Sequence, residues 1–332
     1  MKKYASLLLF ALLINSCDDG DLTVETIDFD DVSIQSCNSD PFVNTLFYKL
    51  KSQESLVTEL PANIIKNDAT TTPLTYNIDS GGNGQYRLLY RAYDGEVATP
   101  NICASIRPKT PNVTEEWIAT SGVITINSTQ IEETDVTTGS SKITGYNHSI
   151  EISNVTFLKP SGEQVMAEIA FGDYKTTITP VVVDFTDDED AKYCKEAKKI
   201  YNENAISSLV IENIDASLIV NQATPVDSPR KSLINQTATT NNVFYRTYNS
   251  TLPADTSIYF CTTQTPSTPT VIDNWYGKNG VQDVSGIIEV TTTEETNVFR
   301  HKVVLRNAVL QKGNSTFKLG TTFSLGSFTT NK

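Results

Sequence analysis

Apolar residues alternate with polar ones in short runs along this chain. Ile150 and Ile152, then Val155 and Phe157, straddle a Ser153-Asn154 step that shifts the phase. Period-two alternation of this length predicts half-buried strands, and no strong helical stripe competes with it. Val123-Ile124-Thr125-Ile126 follows Gly122 and Ile287-Ile288-Glu289-Val290 follows Gly286, so strands are entered from glycine turns. Gly81-Gly82-Asn83-Gly84, Lys159-Pro160-Ser161-Gly162 and Lys312-Gly313-Asn314 supply further turns. Abundant Thr, Ser and Asn favour strand faces and turns over helices.

The pattern occurs twice. Asp28-Phe29 before Cys37 returns as Asp184-Phe185 before Cys194, and Phe47-Tyr48 returns as Ile200-Tyr201. Tyr90-Arg91-Ala92-Tyr93 returns as Tyr245-Arg246-Thr247-Tyr248, Cys103 as Cys261, and Val113 with Trp117 as Val271 with Trp275. His148 and Asn154 return as His301 and Asn307. A common order and an offset of about 155 residues indicate tandem duplication of a whole domain, far longer than a solenoid repeat. The expected fold is all-β: two tandem antiparallel β-sandwich domains, residues 27–181 and 182–332, each of roughly seven to nine strands. Asp184, Asp187, Asp188, Glu189 and Asp190 mark the boundary between them. Residues 190–204 have helix-forming Ala191, Ala197 and lysines, yet their counterpart, 40–52, is rich in Phe, Tyr and Val. Since the copies share one backbone, extended or turn structure is expected in both.

The N-terminus adds a location. Lys2 and Lys3 precede an apolar run, Leu7 to Ile14, that is too short for a comfortable membrane span and ends in Asn15-Ser16-Cys17. Residues 1–16 read as a lipoprotein signal peptide, Cys17 as the lipidated residue, and 17–26 as an acidic tether opening with Asp18-Asp19-Gly20-Asp21. Such an acidic run resembles the surface-export signal of Bacteroidetes lipoproteins. Loss of Lys2 and Lys3 with the leader takes the formal net charge from −13 to −15, which repels phosphate backbones and makes nucleic acid a poor partner.

Export places the remaining cysteines where disulfides persist. Four cysteines allow three pairings, and the duplication selects Cys37 with Cys103 and Cys194 with Cys261, which close nearly equal loops. Free thiols and a metal site are the alternatives; the cysteines lack the close pairs of zinc ligands.

Candidate chemistry is sparse. His148 and His301 are the only histidines, one per copy, and read first as structural residues at a turn or strand edge. No His-Glu-x-x-His, Gly-x-Ser-x-Gly or phosphate-cradling loop is present. Glu115 and Glu116 are the best carboxylate pair for glycoside hydrolysis, but adjacent strand residues point to opposite faces and the second copy has Asp273 and Asn274 there. Trp117 and Trp275 read as core anchors, with a sugar-stacking platform as the functional alternative. Arg91 with Tyr93, and Arg246 with Tyr248, fall on one side of their strands and form a second candidate ligand grip, against a solvated cross-strand pair. Calcium at Asp184 to Asp190 lacks EF-hand spacing. No cofactor or metal is expected.

The leader ending in Cys17-Asp18-Asp19, the cysteine ahead of Leu46-Phe47-Tyr48-Lys49, and the stretch from Val113-Thr114-Glu115-Glu116-Trp117 through Thr144-Gly145-Tyr146-Asn147-His148 carry a resemblance. Together they resemble an uncharacterised family of flavobacterial surface lipoproteins, over nearly the whole mature chain. The resemblance implies location and lineage and transfers no functional residue. The expectation is a non-catalytic lipoprotein, held to the outer membrane by its lipid and facing the exterior, that binds a glycan, matrix component or envelope protein. A polysaccharide-acting enzyme and a purely structural envelope component are the alternatives.

Overall fold

The computed structural model describes residues 26–332 apart from 82, 83, 186–189, 263 and 265. The signal peptide, Cys17 and three of the boundary acids, Asp187, Asp188 and Glu189, lie outside the described residues. The regular structure of the described chain is nearly all β-strand, antiparallel and sandwich-like. Among the described residues no helix is long and apolar enough to cross a membrane.

The first half forms one eight-stranded sheet. It comprises β1 (Gln35–Ser36), β2 (Leu46–Leu50), β3 (Glu54–Glu59), β4 (Leu74–Asn77), β5 (Arg87–Tyr93), β6 (Val113–Thr134), β7 (Ser141–Lys159) and β8 (Gly162–Thr177). The order is β1-β2-β3-β5-β6-β7-β8, with β4 also on β6. Phe47 on β2 and Tyr174 on β8 are near opposite ends of that order, yet their rings meet edge-on at 5.0 Å. The sheet therefore folds over and packs against itself. Between its layers lie Phe47, Leu56, Leu88, Ile124, Ile150 and Phe171, all buried.

In the second half the same run of residues is divided. β9 (Lys192–Cys194), β10 (Lys199–Glu203), β11 (Ser207–Glu212), β12 (Arg230–Leu233) and β13 (Asn242–Tyr248) repeat the early strands. The counterparts of the three long strands are broken: β14 (Val271–Gly277) and β15 (Ile287–Glu294), β16 (Val298–Arg306) and β17 (Val309–Lys312), β18 (Ser315–Lys318) and β19 (Thr322–Asn331). The result is a seven-stranded sheet, β18-β17-β14-β13-β11-β10-β9, and a four-stranded one, β12-β15-β16-β19. Ile200, Leu209 and Tyr245 of one share a core with Ile288, Val303 and Leu305 of the other.

The phase shift in the sequence has a backbone cause. Asn154 and Asn307 take φ of 53° and 47°, a left-handed conformation that Asn tolerates better than most residues. A second irregularity recurs where Gly172 and Gly326, at φ of 111° and 122°, face register shifts at Ile150/Glu151 and Val303/Val304. A Cβ at Gly326 would come within 2.5 Å of the Ala191 amide nitrogen, so no larger residue fits.

Residues 190–204 hold β9, a turn and β10, and 40–52 contain β2, matching the expectation of extended or turn structure in both. Two short helices were not foreseen: α1 (Thr99–Cys103) and α2 (Ser257–Phe260). Each delivers a cysteine to its partner. Cys37–Cys103 and Cys194–Cys261 are disulfides, with Cα separations of 5.3 and 5.1 Å and closed spans of 66 and 67 residues.

The halves meet along a polar seam. Asp68 accepts from the Asn314 amide at 3.0 Å and from Ser315 Oγ at 2.7 Å. Gln130 donates to the Thr316 carbonyl at 2.8 Å and accepts from its amide at 3.0 Å, while Ser141 Oγ accepts from the Lys318 amide at 2.9 Å. Tyr146 donates to Ser315 Oγ at 2.9 Å and, with Ile143, is buried in the core of the second half.

Candidate functional site

His148 and His301 are buried in the middle of two matching chains of polar groups. Thr176 donates its only hydroxyl proton to Asn67 Oδ1 at 2.7 Å, so at 3.3 Å from His148 Nε2 it accepts. That fixes the proton on Nε2 and leaves Nδ1 to accept from Ser128 Oγ at 2.7 Å. In the second half Thr292, His301, Thr330 and Asn221 repeat the chain at 2.9, 2.9 and 2.6 Å, and Arg230 donates to Thr292 Oγ1 at 2.8 Å. Burial lowers the His148 pKa from 6.5 to about 4, and burial together with Arg230 lowers that of His301. Both rings are neutral at physiological pH.

Ser128 and His148 have the spacing of a nucleophile and its base. The same chain recurs with Thr292, whose hydroxyl Arg230 occupies, and both imidazoles are fully buried. Each chain crosses three neighbouring strands and ends on the loop that carries Asn67 or Asn221. Sequence reading found the histidines but not their partners. The overlooked signal is a repeated tetrapeptide, Asn67-Asp68-Ala69-Thr70 and Asn221-Gln222-Ala223-Thr224. Thr70 and Thr224 both exchange backbone-directed hydrogen bonds with the hydroxyl residue that serves the histidine, Ser128 or Thr292.

The candidate aromatic platforms are interior. Trp117 and Trp275 are 3% and 5% exposed, and their indole N–H groups donate to Glu115 at 2.7 Å and Asp273 at 3.0 Å. Lys159 and Lys312 lie over the two rings, at 4.7 and 6.0 Å from the centroids. Stacking a ligand needs an open ring face, which neither indole presents. Arg91 is paired with Glu116 at 2.6 Å, and Arg246 with Glu212 at 2.8 Å and Asn274 at 3.2 Å. Tyr93 and Tyr248 are buried, their hydroxyls 3.0 and 2.8 Å from Ser55 and Ser208. Burial pushes the Tyr248 phenol up to about 12. The two Arg-Tyr pairs are thus consumed by internal contacts. Glu115 and Glu116 serve different partners, Trp117 and Arg91, and flank no common point. Among the described residues no cluster of His, Cys, Asp or Glu could hold a metal ion.

Open space lies elsewhere, beside the seam. A cleft of ≈ 580 Å³ is walled by the turn between β6 and β7, by residues 181–185 and by the start of β19, where Phe323 contributes a half-buried ring. The Thr137 amide and Thr138 hydroxyl hold the Asp135 carboxyl in this wall below its ordinary range. A second recess of ≈ 400 Å³ lies between residues 63–76 and Asn314 of the other half. Tyr76 forms part of its wall. Neither recess was legible in the sequence, because each draws its lining from both halves. Compared with protein-family models, curated proteins and solved structures, the chain matches none.

Proposed function

We propose that this protein is a non-catalytic lipoprotein of two β-sandwich domains, anchored through Cys17 in the outer membrane, exposed to the exterior, and holding a ligand or partner there. One observation carries the reading. The side chains with chemical potential are tied into internal bonds in both halves, while two recesses lie along the seam. Ligand sites favour such junctions between packed units. The two disulfides support an oxidising, extracytoplasmic compartment, in keeping with an exported chain. A glycan, a matrix component or another envelope protein fits a strongly acidic surface better than nucleic acid does.

Two measurements test this. Mass spectrometry of the protein isolated from cells should find acyl chains on Cys17; an unmodified residue removes the anchor. A glycan and extracellular-matrix array probed with the full-length protein should give binding, and silence across both panels removes the ligand-holding role.

A further inference from the structure

Side-chain pairs present in both halves are accounted for by the backbone the halves share, whereas a pair present in one half alone is not. The histidine chains, buried tryptophans and covering lysines belong to the first kind. Tyr76 and Tyr86 belong to the second. Their rings stack at 4.9 Å and 13°, both half-buried, and neither hydroxyl has a hydrogen-bond partner among the described residues. Their counterparts are Ser232 and Asn241, in which Asn241 Nδ2 donates to Ser232 Oγ at 2.8 Å. The second half therefore closes the same place with one small hydrogen bond. The first half builds an aromatic surface there.

That surface opens onto the ≈ 400 Å³ recess. One face of Tyr76 is covered by Tyr86, and the residue also walls the cavity. Around it stand the exposed side chains of Asn63, Lys66 and Thr72, none with a partner among the described residues, and Asn314 from the other half, whose Nδ2 donates to the Ala69 carbonyl at 2.8 Å and leaves Oδ1 to accept. Burial raises the Tyr76 pKa, so no phenolate charge stands in the recess. We propose that this recess binds a carbohydrate, one sugar ring lying on Tyr76 with its hydroxyls paired to Asn63, Thr72 and Asn314. A sugar offers a C–H face for an aromatic ring and a rim of hydroxyls for amides, which are the two kinds of group present. A single cation, Lys66, on an acidic protein does not suit a polyphosphate.

This inference rests on the ligand-holding reading and narrows it to one site and one class of ligand. The test is titration of the full-length protein with the neutral polysaccharides β-glucan, in soluble form, and α-mannan, beside the array above. The key variant is Tyr76→Ser with Tyr86→Asn, which installs the pair that the second half already accommodates. At least one polysaccharide should bind wild type, and the double variant should bind it about tenfold more weakly, as expected for loss of a stacked ring. Tyr76→Phe should retain affinity, Asn63→Ala should weaken it severalfold, and thermal unfolding should show all variants folded. Full affinity in the double variant, or in Asn63→Ala, overturns the assignment of this recess while leaving a ligand-holding protein. Capture of matrix proteins without any polysaccharide does the same. No binding of either kind overturns both.

Discussion

Ser315 donates its hydroxyl to Asp68 at 2.7 Å across 247 positions of sequence. The same carboxylate takes the Asn314 amide, and Tyr146 donates to the Ser315 oxygen. One acid thus organises the turn between β17 and β18 against the first half. Hydrogen bonds to a charged group contribute about 1.5–3 kcal/mol each before context. Asp68→Ala should lower the denaturant midpoint or split one unfolding transition into two. An unchanged, single transition would show that the seam is held by other contacts.

Acid should weaken the protein through its histidines. Neutral His148 is favoured in the folded state and the unfolded ring protonates near 6.5, so its contribution is complete above that pH. It declines as pH falls from about 6.5 towards about 4 and is then gone. A shift of that size on a fully buried ring corresponds to roughly 3 kcal/mol. His301, displaced in the same direction, adds to the slope. Urea unfolding between pH 7 and 4.5 should show this loss, and His148→Gln should flatten it; an identical slope in the variant would contradict the buried neutral ring.

The tryptophans make a spectroscopic prediction. Both indoles are interior, so native fluorescence should be blue-shifted and poorly quenched by acrylamide. Trp117→Ala should cost about 3–5 kcal/mol through the cavity it leaves, with Trp117→Phe milder. Emission typical of a water-exposed indole would move these residues back to the surface.

Native protein treated with iodoacetamide should leave Cys37, Cys103, Cys194 and Cys261 unlabelled, because all four are paired. Reduction should then lower the unfolding midpoint, since the chain-entropy model assigns each closure about 4 kcal/mol. Label on a native cysteine would break the pairing.

Much of this architecture could be read from residues. Alternation around Ile150 and Val155 gave β7, and the match between Cys37/Cys103 and Cys194/Cys261 gave both bridges. What escaped depends on distance in space. The split of the second half into two sheets reflects extra residues between Trp275 and Gly286, relative to Trp117 and Gly122, which part β14 from β15. Trp117 and Trp275 read first as core anchors and are buried, but their N–H partners, Glu115 and Asp273, and the lysines over their rings were not read. Tyr76 and Tyr86 looked ordinary until the fold placed them on each other and set Asn314 nearby.

The seam was assembled only once. Where Tyr146 offers its hydroxyl, the second half has Phe299; where Asp68 carries charge, it has Gln222; and at the hairpin position of Ser315 the first half has Gly162. The bonds that join the halves therefore have no twin elsewhere among the described residues, so a substitution at Asp68, Tyr146 or Ser315 acts on their union and on nothing that the matching half repeats.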